Sequence, residues 1–130
     1  MAFDPKNTDR GAVVTLAAAG AQTTYTSDLQ NVTGSGLTAV VDITALAGTT
    51  PTLTVTIQGK DNASGKYYDI LVGATLNATG TTVMRIYPGI VQTNTNAIAS
   101  FVVPEWYRIK YVIGGTTPAV TATIGVCTQI

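Results

Sequence analysis

Histidine is absent from these 130 residues, and cysteine occurs once, at Cys127. Without histidine the chain lacks both the commonest general base and the commonest metal ligand. One cysteine excludes an internal disulfide. It falls in the alternating run AVTATIGVCTQI, where a packed structural thiol is expected rather than a nucleophile. Charge is equally scarce. Only 11% of residues are charged, seven Lys+Arg against seven Asp+Glu. No basic run exceeds one residue, so the electrostatic footprint of a nucleic-acid binder is missing. No apolar run reaches the length of a membrane-spanning helix, and no membrane partner is expected. The segment AVVTLAAAGA, residues 12–21, has the apolar, small-residue character of a secretion signal. However, Asp4 and Asp9 cancel Lys6 and Arg10 ahead of it and Thr15 interrupts it, so it reads as a first strand.

What the chain has in abundance is Thr, with Gly, Val and Ile, while Lys, Glu and Leu are few. That mixture favours strands and turns over helices. With 45% hydrophobic residues, one domain can bury a core without covalent or metal staples. Residues 1–10, MAFDPKNTDR, are polar and without a period, and read as an N-terminal arm; residues 11–130 read as a single domain.

Within that domain apolar residues recur at every second position. Leu37, Ala39, Val41, Ile43 and Ala45 alternate with Thr38, Asp42 and Thr44; Leu53, Val55 and Ile57 alternate with Thr52, Thr54, Thr56 and Gln58. Tyr107, Ile109, Tyr111 and Ile113 oppose Arg108 and Lys110, and Val120, Ala122, Ile124 and Val126 oppose Thr121 and Thr123. This period predicts half-buried antiparallel strands. Weaker strands are predicted over 12–18, 66–73, 81–87 and 97–103. Turn residues at 33–36, 48–51, 77–81, 87–89 and 114–118 read as the breaks between strands. About eight short strands predict an all-β, antiparallel β-sandwich, jelly-roll or immunoglobulin-like. No internal repeat is expected beyond the shared Thr alternation.

The pairs Gly59-Lys60 and Gly65-Lys66 in GKDNASGK imitate a phosphate loop, but the spacing fails. Five residues separate the glycines, and Tyr67 stands where a metal-binding hydroxyl belongs. As a calcium loop it fails as well, since Val72 occupies the position of the bidentate glutamate. A hairpin turn remains. The acidic residues are scattered and explained by solvated positions, and no serine has a histidine to activate it, so neither an enzyme nor a bound cofactor is expected. The segment PEWYRIKY is the most contact-like: Trp106, the single Trp, shares a face with Arg108 and Lys110. Such a Trp either covers one end of the core or anchors a partner or sugar.

The polar arm, the strand pair LTVTIQGKDNASGKYYDI, the later VMRIYPG and the stretch VPEWYRIKYVIGGTTPAVTATIGV together resemble the small β-sandwich decoration, or cement, proteins of tailed-bacteriophage heads. The resemblance implies a non-enzymatic virion protein on the head exterior. Its partner would be the major capsid protein at capsomer junctions, and it would form a homo-oligomer, with a trimer the expected form. Candidate contacts are Phe3, Asp4, Pro5 and Arg10 of the arm, together with Trp106 and Arg108. The strand pair around VTIQGKDNASGKYYDI is also similar to discoidin-like sugar-binding sandwiches. A carbohydrate-binding adhesin module therefore stands as the alternative, beside a tail or baseplate component.

Overall fold

A computed structural model describes residues 10–31 and 34–129. Among them there is no helix, and eight strands share one sheet. These are β1 (Arg10–Ala19), β2 (Gln22–Tyr25), β3 (Leu29–Gln30), β4 (Gly36–Lys60), β5 (Tyr67–Val72), β6 (Gly80–Ile86), β7 (Ile98–Ala99) and β8 (Trp106–Gln129). Two long strands dominate. β4 and β8 lie antiparallel from the pair Gly36–Gln129 to the pair Gly59–Tyr107. The far edge of β8 carries β1, β2 and β3, and the far edge of β4 carries β6 and β5. β7 extends β6 in parallel, so the sheet is mixed.

The period-two pattern works as expected within each half of the long strands, except just past Ile43, where a slip of register leaves Ala45, expected inside, exposed and packs Leu46 against the core instead. Leu37, Ala39, Val41 and Ile43 point inward, as do Leu53, Val55 and Ile57; on β8 the inward residues are Tyr107, Ile109, Tyr111 and Ile113, then Val120, Ala122, Ile124 and Val126. All of them join one core cluster, with Leu71, Met84 and Ile86 from the flanking strands. A lone sheet can bury one whole face only by bending over it. This one curls into a half-barrel around its own core. The all-β class stands, whereas one curled mixed sheet takes the place of the two facing antiparallel sheets of a jelly-roll or immunoglobulin-like sandwich.

The difference lies at two turn signals. Residues 48–51 and 115–118 both read GTTP, and both were expected to end a strand. Instead the pairing continues past them, with slips of register around Ala47, Thr49 and Thr52, and Thr49 lies opposite Thr116. Gly48 and Gly115 have φ of 103° and 117°, and Thr50 and Thr117 have φ of 48° and 46°. Each threonine hydroxyl donates to the carbonyl of the preceding threonine at 2.8 Å. The two corners are therefore conformational twins, set antiparallel against each other. The likeness extends along the chain, since GTTPTLTVTI at 48–57 and GTTPAVTATI at 115–124 agree at seven of ten positions. Leu53, Val55 and Ile57 in one match inward-facing Val120, Ala122 and Ile124 in the other. A short internal repeat is thus present where only a common Thr alternation was expected.

The loop KDNASGK is the turn its residues predict. Asp61 N–H donates to the Lys66 carbonyl at 2.8 Å, and the Asp61 carboxylate accepts from Ala63 N, Ser64 N and Ser64 Oγ. Those bonds, the Ser64 hydroxyl first, hold the Asp61 carboxyl below its usual range. The strand predicted over 97–103 contracts to Ile98–Ala99. Nearby backbone bonds go elsewhere: Val103 N–H donates to the Ser35 carbonyl, and the Ser100 hydroxyl accepts from Gly89 N–H.

Candidate functional site

Tyr107 and Ile109 point into the core, so Arg108 between them faces outward. Its guanidinium carbon lies 3.4 Å from the ring centre of Tyr67 and 3.9 Å from that of Tyr25. The planar cation is clasped by two aromatic faces, an arrangement that Lys could not reproduce. Arg108 Nε donates to Gln58 Oε1 at 2.8 Å, and Gln58 Nε2 donates to Asp69 Oδ1 at 2.8 Å. This chain follows the strand register, in which Arg108 pairs with Gln58 and Gln58 with Asp69. Gln58 is buried, and these two bonds satisfy its amide.

A second chain locks the Tyr67 ring. Its hydroxyl donates to Asp28 Oδ1 at 2.6 Å, and Asp28 Oδ2 pairs with Lys60 Nζ at 2.8 Å. Lys60 stands opposite Tyr67 in the hairpin, with its ammonium 5.7 Å from the ring centre. The Lys60 hydrogen bond, followed by that of Tyr67, holds the Asp28 carboxyl below the usual carboxylate range. The same bond to Asp28 raises the Lys60 ammonium. Arg108 is therefore fixed from both sides and along its edge. Its terminal nitrogens have no bond among the described residues and can meet a carbonyl or carboxylate of a partner.

Of the residues singled out by sequence, Trp106 and Arg108 come together on this outer face, with Trp106 half-buried opposite Gln30. Trp106 is thus neither a core residue nor a bare stacking platform. Arg10 opens β1 opposite Cys127, at the other end of β8. Phe3, Asp4 and Pro5 lie outside the described residues. Cys127, expected to be packed, is exposed, because Val126 takes the inward position beside it. Sequence reasoning did not find Tyr25, Asp28, Gln58, Lys60 and Tyr67 as parts of a site. Alternation shows which face Gln58 occupies but not which distant residue lies across from it.

No known protein family matches the chain, and no curated protein matches it. A solved chain described as "Structure of infectious bursal disease virus Gt strain" is similar at a TM-score of 0.33 and 15% identity. The alignment covers 99% of this chain and 37% of that one. A likeness at that score carries no argument about function.

Proposed function

We propose that the protein is a non-enzymatic virion structural protein, a decoration protein that binds the outer surface of an icosahedral phage head at capsomer junctions and stabilises it. The observation that carries this reading is the rigid Tyr25–Arg108–Tyr67 stack beside Trp106. Tyr, Trp and Arg are the residue types on which protein contacts most depend. Arg108 is held by neighbours before any partner arrives, so binding need not order a long free side chain. The partner in this reading is the major capsid protein. The resemblance set out above supplies the viral setting, and it also supplies the expected homotrimer and the docking role of Phe3, Asp4, Pro5 and Arg10. Many identical sites on a shell make weak individual contacts sufficient.

Immunogold electron microscopy of source virions tests the location, with antibody to this chain. Regular labelling over the head, together with loss of shell binding by Arg108→Ala, is the expected result. Labelling at the tail tip would favour the adhesin, and labelling along the tail or baseplate the third role. Unlabelled particles would end the virion reading.

A further inference from the structure

We infer that the outer face of the β4–β6 half of the sheet is a pairing surface for a second copy of this chain. This goes beyond the capsid reading and is tested without any capsid. The centre of that face is the row Val83–Val40–Gly125, three residues directly opposite one another on β6, β4 and β8. Val40 and Val83 are 38% and 41% exposed, and a Cβ built on Gly125 would meet nothing within 4 Å. Two half-exposed valines opposite one another, with open space beside them, are unusual on a sheet face left to water, where polar and charged side chains normally stand.

Among the described side chains the face carries one charge on each side of this row, of opposite sign. Asp42 flanks it on one side, with a hydrogen bond from Thr81 Oγ1 at 3.3 Å. Arg85 flanks it on the other, opposite Thr38. Neither has an ion-pair partner among the described residues. They stand four residues apart along the strand direction, about 13 Å at the usual rise, too far to pair within one molecule. A two-fold axis laid along the valine row changes this. It places valine over valine and brings Asp42 of each copy above Thr38 of the other, one strand from Arg85. Both charges then find partners at once. An open groove of about 400 Å³ beside Arg85, walled by Tyr87 and Ile90, gives the incoming carboxylate room. The second copy is thus the occupant that fits the charges: the face is complementary to itself, as a two-fold interface requires.

Three strands by seven residues make roughly 330 Å² per copy, about 670 Å² in total. That is below the usual size of a specific interface, so a dissociation constant on the order of 10 µM or weaker is expected. Sedimentation velocity of the full chain over about 1 µM to 1 mM reads it directly. Wild type should pass from monomer to dimer, where the resemblance implies a trimer. Asp42→Arg and Arg85→Asp should each weaken the dimer about tenfold or more, and the double exchange should restore it, because the pairs reform between copies. Val83→Thr, nearly isosteric and at an exposed site, should weaken the dimer without lowering the melting temperature. A protein that stays monomeric throughout overturns the inference. So does a dimer or trimer indifferent to all four variants, or a double exchange no better than the singles.

Discussion

Tyr107 is fully buried on the first turn-free stretch of β8, and its hydroxyl has no hydrogen-bond partner among the described residues. Burial pushes its ionisation up to about 12. A buried hydroxyl without a partner has lost its water without compensation, at a cost of about 1 kcal/mol or more. Tyr107→Phe keeps the ring and removes that cost, so thermal unfolding should show a melting temperature about 3 °C higher. A drop of similar size would mean the hydroxyl is bonded after all. Asp28 makes the opposite case, a polar group that earns its place through pairing. Its folded ionisation lies below 3.8, so its contribution is present above pH 3.8 and is lost as pH falls through the depressed value. Lys60 is raised above 10.5, so its share of the same bond is present below pH 10.5 and fades as pH rises through the raised value. Asp28→Asn should therefore be less stable than wild type at pH 7, with the gap narrowing as pH falls below 3.8. Denaturant titrations at pH 7 and in acid read the gap, and one that persists unchanged into acid would remove the ion pair as its source.

At the scale of elements, the twin corners bear the most. Gly48 and Gly115 sit at positive φ with the other corner's backbone against them: a side chain on Gly48 would strike the Thr117 carbonyl, and one on Gly115 the Thr50 carbonyl. Gly65, in the hairpin turn, also has positive φ, but its surroundings are open. Gly65→Ala should cost about 1 kcal/mol from backbone strain alone, while Gly48→Ala and Gly115→Ala should cost about 3 kcal/mol or more. Equal melting temperatures for the three variants would contradict the close contact at the corners. These corners also show what the sequence could and could not tell. Period two placed Val55, Ile57, Ile109 and Ile124 on the core face, and Asp61, Ser64 and Gly65 marked a true turn, because both signals are local. GTTP is a local turn signal too. Here it is overruled, because each corner's backbone continues its ladder with the other corner, a partner dozens of residues away. The Arg108 clasp was half legible for the same reason. Alternation put Arg108 outside with Trp106, yet only register brings Tyr25, Gln58 and Tyr67 to it.

On the scale of the whole molecule, β4 and β8 are a spine that no short-range contact can build. Their pairing runs from Gly59–Tyr107 out to Gly36–Gln129, and β1, nearly the full chain away, docks on β8 as well. Among the described residues the β4–β5 hairpin closes locally, through the turn at Asp61–Lys66, and the two-residue β7 reaches β6 from nearby. That hairpin can form in about 1–10 µs, but it exposes its inward face until β8 arrives. Loop closure must therefore come before most of the core burial that rewards it, which places the chain with slow, non-local β proteins. Refolding followed by Trp106 fluorescence after rapid dilution from denaturant should take milliseconds to seconds. Leu71→Ala on β5 and Ile124→Ala on β8 both remove buried apolar groups, so both should destabilise the fold by about 2–4 kcal/mol. If joining β8 to β4 limits the rate, both should slow folding, Ile124→Ala in the joining step itself and Leu71→Ala in a hairpin already formed by then. The discriminating variant is Ala99→Gly on β7, which hangs from β6 at the sheet's end and should act almost wholly by speeding unfolding. Slower folding in Ala99→Gly with unchanged unfolding would put the sheet's edge, not its spine, in the rate-limiting step.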